Sequence, residues 1–476
     1  TNTTISNEGS DPQSYSNVWV RGGKIEMNNS ELASEDEIRL TASNSLHEVR
    51  GERHIPKELK MEANAENTVR LSNTQLHANQ ASWQPSSEAR YTPKGSIGIY
   101  GGKVDVAKDV NFKFAAGANE ANLDVAAVSN IVEKSDGNMQ VSTTQGNDVV
   151  FHGTVTSDAD RDAEVNIGGA AVNLDGAKFR MPKGNLSVVA IASSEDSYAE
   201  DAGVEKETAL TKATAANVVQ ADGLDVEGNL HGTQIYGGRV ELKNTTVKTP
   251  GKIEIEAYTS RDWTGQDNDR ITTEDVQTGS DNVVRLEKTK LLNAAPAEAN
   301  QALKWVYVRG GKVEIKDSEL TSDHSVDVWA LKSAKVKQTR DEPAAPFFPN
   351  YMTLEEYHTD ASNSVKISNS KLHANLASWN TYENPECYVS AWGGKVALTG
   401  VDIKSPRDVD IYAVAEAKTE TGDVVFGTGN AVDLKGTTIE AKGRVDVLGG
   451  KVQMKQSSVQ AGTLNIAATE TLKGLF

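Results

Sequence analysis

The chain has 476 residues, with 49 Lys and Arg against 67 Asp and Glu, for a formal net charge of −18. That balance disfavours nucleic acid, whose phosphates need clustered cations. The single cysteine, Cys387, rules out an intrachain disulfide and argues against a Cys-based zinc site. No apolar run is long enough to span a bilayer.

In chain order, one phrase of the form Val-x-Leu-x-turn-x-x-Val returns from end to end. It reads IEMNNSEL at 25–32 and VRLSNTQL at 69–76, is irregular around Lys108 and Gly153, and recurs around Gly176 and Gly223. It then reads VELKNTTV at 240–247, recurs around Lys288, and continues as VEIKDSEL at 313–320 and VKISNSKL at 365–372. After a copy around Gly400 it closes with VDLKGTTI at 432–439 and VQMKQSSV at 452–459. Its apolar positions alternate as in a strand, and its fifth position (Asn29, Asn73, Asn244, Asp317, Asn369, Gly436, Gln456) reads as a corner. The many Val, Asn, Thr and Ser and the 39 Gly suit short strands joined by tight corners.

Successive corner residues lie 20 to 52 positions apart, with long and short steps tending to alternate. About 20 residues is one turn of a parallel β-helix, so the longer steps are one turn plus an insertion. The insertions fall at about 43–66, 129–146, 194–216, 258–280, 333–362 and 417–429. Equivalent corners of a stack lie along one edge, so these segments are expected to form a lateral ridge, the side on which a solenoid places its contacts. Gly-Gly pairs at 22–23, 101–102, 168–169, 237–238, 310–311, 393–394 and 449–450 occupy the other turns. They are read as sharp corners that exploit positive φ, since no phosphate-binding glycine pattern accompanies them.

A longer period overlies the first. VWVRGGKIEMNNSELAS (18–34) returns as VYVRGGKVEIKDSELTS (306–322), with 11 of 17 positions identical. The predicted fold is therefore all-β: a right-handed parallel β-helix of about 13–14 turns, forming one elongated body over 1–476 with lateral insertions on alternate turns. At about 4.8 Å per rung it would be roughly 65 Å long.

Candidate chemistry is sparse. Paired carboxylates for glycoside hydrolysis could come from Asp410 with Asp327, or Glu254 with Asp225, but outward carboxylates are expected wherever strands alternate. His77 and His373, in a duplicated LHAN phrase, read as corner fillers. No nucleophile elbow or zinc-protease motif is legible, so the chain reads as a non-enzyme with no catalytic residues and no resident cofactor or metal. GQDNDR (265–270) followed by Glu274 offers oxygen ligands for calcium without a full calcium-loop pattern. Asn2, Asn28, Asn185 and Asn244 match the N-glycosylation pattern. The candidate partner-binding residues are aromatics in or beside the insertions: Phe347, Phe348, Tyr351, Tyr357, Trp263, Trp83 and Trp379. Such side chains stack on sugars or anchor protein partners, and the competing reading has them pinning loops to the stack.

GGRVELKNTTVKT (237–249), GGKVEIKDSELTS (310–322) and GGKVQMKQSSVQA (449–461) resemble the glycine-led turns of filamentous-haemagglutinin-like exoproteins. The regular insertions depart from that pattern. The resemblance implies an extracellular bacterial surface or secreted protein, an adhesive shaft presenting lateral loops to a protein or glycan receptor. Other β-helices imply two alternatives: a polysaccharide lyase or tailspike-like glycosidase, and a self-assembling filament or matrix subunit. Both ends read as interrupted turns without a signal peptide, as expected of a piece of a longer array, and free strand edges would permit head-to-tail association.

Overall fold

A computed structural model describes residues 2–7, 17–34, 36–50, 56–78, 95–114, 121–134, 138–157, 163–201, 204–228, 231–266, 271–293, 305–339, 351–374, 387–418 and 422–473. Among them there is no helix, and the strands form three sheets of 25, 14 and 13 members. Strands of the first two sheets pair in parallel from turn to turn, so the fold is a parallel β-helix as the repeat predicts.

Each turn contributes one strand to the 14-stranded sheet, here called the wall sheet, and then strands to the 25-stranded corner sheet. In one turn, Tyr388–Gly393 lies in the wall and passes through Gly-Gly to Lys395–Thr399 and Asp402–Ser405 of the corner sheet. In the turn before it, Ser325–Ala330 lies in the wall, but the chain then forms the hairpin Ser333–Thr339 and Tyr351–His358. It reaches the corner sheet only at Ser364–Ser368. The fourteen wall strands alternate between these two kinds of turn, which is the two-turn unit read from the spacing.

The insertions are not separate loops. Their strands pair antiparallel with each other and with the insertions two turns away, giving the 13-stranded hairpin sheet. The geometry explains the alternation. Two rungs occupy about 9.6 Å, which is the width of two strands at about 4.8 Å each. A two-stranded hairpin on every second turn therefore fills the space with neither a gap nor an overlap.

The corner residues behave as the phrase requires. Asn29, Asn73, Asn244, Lys288, Asp317, Asn369 and Gln456 all have φ between 46° and 51°, and Gly176, Gly223, Gly400 and Gly436 are also left-handed. Lys108 and Gly153, the irregular copies, are not. Corner side chains ladder from rung to rung: Asn73 donates to Asn29, and Asn369 donates to Asp317 Oδ1 at 3.2 Å. Beside them a second ladder is buried, in which the Ser318 backbone N–H donates to Ser370 Oγ at 3.1 Å.

The paired glycines correct the sequence reading, because none of them has positive φ. What the second glycine requires at 102, 238, 311, 394 and 450 is space. A Cβ on Gly394 would lie 1.7 Å from the Asp360 carbonyl oxygen, and one on Gly238 would lie 1.6 Å from that of Thr214. A buried asparagine fixes this approach in five of the six insertion turns, and in the sixth Asn217 donates instead to the Ala170 carbonyl at 2.9 Å. Asn363 accepts from the Asp360 N–H at 2.9 Å and donates to the Gly311 carbonyl at 3.1 Å. Asn67, Asn147, Asn282 and Asn430 repeat both bonds, reaching Gly23, Gly102, Gly238 and Gly394.

The chain divides into two compact units. The first comprises Thr1–Glu195, Ala216–Ile235 and Thr245–Thr249; the second comprises Asp196–Ala215, Tyr236–Asn244 and Pro250–Phe476. In the first, the aliphatic column inside the turns is interrupted by Phe112, Phe151 and Phe179, stacked with centroids 5.5 and 5.8 Å apart. In the second, apolar packing also fills the space between the wall and the hairpin sheet. Every residue of Ser325–Ala330 is buried, so the wall there has no solvent face.

Candidate functional site

The outward face of the wall sheet in the second unit carries two columns of side chains, set by the parallel register. The middle column runs Glu254, Tyr307, Asp327, Ser390, Asp410 and Asp446 on successive rungs. Beside it, on the hairpin side, run Glu256, Arg309, Trp329, Trp392, Tyr412 and Leu448. Alternation points both columns away from the aliphatic interior, and the hairpin sheet covers the second.

The aromatic part of that second column is a packed core. Trp329 and Trp392 stack with centroids 5.5 Å apart, and Tyr412 follows 4.9 Å from Trp392. From the hairpin sheet, Tyr357 meets both indoles edge-on at 6.1 and 5.6 Å. Its hydroxyl donates to the Ala330 carbonyl at 2.8 Å, and the residue is fully buried. Tyr357 therefore pins the hairpin to the wall and presents nothing to a partner, which corrects its reading as an exposed anchor.

Where the column turns polar, Arg309 lies buried against Glu256 at 2.7 Å and against Glu274, which Arg261 also holds at 3.0 Å. Burial works against the Glu274 carboxylate, but Arg261 and Arg309 overcome it and hold its pKa well below the ordinary range. Glu274 is thus committed to two guanidinium groups and is not a spare calcium ligand; residues 267–270 of the proposed loop lie outside the described residues. No group of three or more His, Cys, Asp or Glu among the described residues could hold a metal ion.

The middle column brings Asp327 and Asp410 together as sequence reasoning proposed, two rungs apart with Ser390 between them. Ser390 accepts from Trp329 Nε1 at 2.7 Å and donates to Asp327, which also accepts from Ser325 Oγ at 3.1 Å. Burial pushes the Asp327 carboxyl up to about 7, against the opposing pull of these hydroxyls. Tyr412 Oη lies 3.1 Å from both Asp410 and Asp446. Arg444 approaches the same two carboxyls, at 3.6 and 3.1 Å. The hydroxyl of Tyr307, on the rung before Asp327, is buried with no hydrogen-bond partner among the described residues.

The other proposed pair does not form. Asp225 lies in the corner sheet, paired with Arg180, whereas Glu254 lies in the wall beside Tyr236 Oη at 2.5 Å and Lys252 Nζ at 3.1 Å. His373 is buried, 3.0 Å from Asp402, and His77 sits 3.8 Å from Glu31. Trp263 is half-buried and shares the inward face of its strand with Arg261. Phe347, Phe348, Trp83 and Trp379 lie outside the described residues, as does the side chain of Tyr351. Ser390, Tyr412 and Asp446 were missed by sequence reasoning. Their signal was positional, since each falls in the wall strand at the register of Asp327 or its neighbour.

No protein-family model, curated protein or solved structure matches the chain. The class defined by the coordinates is that of parallel β-helices. No helix among the described residues is long and apolar enough to cross a membrane.

Proposed function

We propose that the chain is a structural and adhesive shaft of a bacterial surface or secreted fibrous protein, of the filamentous-haemagglutinin-like kind, acting outside the cell. The observation that supports this most is the pairing of successive insertions into one antiparallel sheet laid over the wall. Material that could have formed a cleft instead doubles the wall and stiffens it. Partner contact then belongs on the outward face of the hairpin sheet, where Lys335, Glu355, Glu416 and Lys418 form exposed and half-buried ion pairs. Such a face suits a protein or glycan receptor read by charge and hydrogen bonding.

A carbohydrate-active reading has one observation in its favour. Asp327 and Asp410 stand two rungs apart in one column, or about 9.6 Å along the sheet, near the separation used by inverting glycosidases. A glycan array followed by a reducing-end release assay separates the two. The shaft reading expects binding without turnover. Release of reducing ends that disappears in Asp327→Asn and Asp410→Asn would replace it.

A further inference from the structure

We propose that Asp410, Tyr412 and Asp446 form an acid-tightened latch in the wall of the second unit, completed when one proton is taken up between the two carboxyls. Tyr412 Oη is 3.1 Å from Asp410 Oδ1 and 3.1 Å from Asp446 Oδ2, yet a phenol carries a single proton. It can donate to one carboxylate only. Both contacts become hydrogen bonds when the other carboxyl is protonated and donates to the phenol oxygen. The balanced arrangement is Asp410 O–H to Tyr412 Oη, and Tyr412 O–H to Asp446 Oδ2.

The surroundings favour that state. Asp410 and Asp446 are register partners on adjacent strands, where like charges repel. One guanidinium, Arg444, serves both, and Asp408 adds a further negative charge close by. Asp408 itself faces Arg407, at 3.7 Å. The preceding rung offers Ser390, with Asp327 beyond it, and the following rung places Asn465 opposite Asp446. From the hairpin sheet the packed groups are Tyr357, Ala417, Val424 and Phe426, and among these described residues the titratable one is a phenol already bonded to Ala330. Glu416 and Lys418 pair with each other at 3.0 Å on half-buried to exposed side chains, and His358 lies 3.8 Å from Glu356. No further cation among these described groups approaches the two carboxyls. Burial raises the Asp410 carboxyl to about 6, against the pull of Arg444.

The sign follows. Asp410 is raised above its unfolded value, so the folded state holds the extra proton between about pH 4 and pH 6, and stability falls as the pH rises through that window. The test is the melting temperature of the full chain from about pH 4 to about pH 8.5, for the wild type and for Asp410→Asn. The amide mimics the protonated carboxyl by donating to Tyr412. The variant is expected to melt above the wild type at pH 8, with the difference falling to about half at pH 5 and toward zero near pH 4. Buried histidines such as His373 contribute to both proteins and cancel in the comparison. A variant that melts below the wild type at pH 8 by as much as near pH 4 overturns the latch. Should the variant fail to fold, carboxyl carbon NMR of the wild type decides. An Asp410 midpoint above 5.5 supports the proposal, and one near 4 overturns it.

Discussion

At the scale of single residues, two kinds of corner impose different demands on the backbone. Positions such as Asn369 need a left-handed φ, which Asn and Gly adopt at the least cost. Lys288 adopts φ 50° with an ordinary side chain, so Lys288→Asn is expected to raise stability by about 0.5–1 kcal/mol, measured by denaturant unfolding. The Gly-Gly corners need room. Gly394→Ala drives a methyl into the Asp360 carbonyl and is expected to cost about 1–3 kcal/mol, whereas Gly23→Ala meets nothing within 4 Å and should be close to neutral. Equal effects from the two substitutions would return the glycines to a common conformational role. The phrase made the left-handed corners legible, since its fifth position carries turn residues. The close approach at Gly394 was not legible, because its cause is a backbone carbonyl more than thirty residues earlier in the chain. The asparagine that organises it was visible as Asn before a Val-rich strand (Asn67, Asn147, Asn282, Asn363, Asn430), but nothing local marks it as buried.

At the scale of elements, the strands that stack were written in the sequence and the strands that cover were not. Val-x-Ile and Val-x-Leu alternation identifies a rung wherever it occurs, because one face must be apolar. Hairpin strands such as Ser333–Thr339 present Ala334, Val336 and polar neighbours, a pattern too weak to separate a covering strand from a surface loop. Only the aromatic wall beneath them makes the burial worthwhile. The consequence is measurable at Tyr357 and Trp392. Trp392→Ala should cost about 3–5 kcal/mol through the cavity it leaves between the two sheets. Tyr357→Phe should cost about 1 kcal/mol, the worth of its bond to Ala330. Removing one member of the buried ion cluster is expected to be as severe as the Trp392 change. Arg309→Ala takes away the guanidinium partner of Glu256 and leaves Glu274 to Arg261, at about 3–5 kcal/mol, and equilibrium unfolding of the variant would show it. A neutral Arg309→Ala would mean that the cluster is open to water. The candidate site follows the same division. Asp327 and Asp410 could be paired from the repeat alone, while Ser390 acquires meaning only once the register places it between them, and Tyr412 once its hydroxyl reaches Asp410 and Asp446 from the next column.

At the scale of the whole molecule, the alternation of turns is the organising fact. Gly-Gly turns and hairpin turns succeed one another because a two-stranded hairpin is as wide as two rungs, and any other spacing would leave the hairpin sheet broken or crowded. The same fact turns the insertions from a row of independent loops into a second wall, and it moves the expected contact surface from loop tips to a sheet face. Hydrogen exchange resolved by segment tests this most directly. If the hairpins form a continuous sheet, amides in Ser260–Gln266, Ile271–Gln277 and Ser333–Thr339 will be protected to a degree comparable with the wall strands Lys252–Ala257 and Ser325–Ala330. Full exchange of the hairpin segments within seconds, with the wall strands still protected, would contradict it and return the insertions to loops hung on a bare stack.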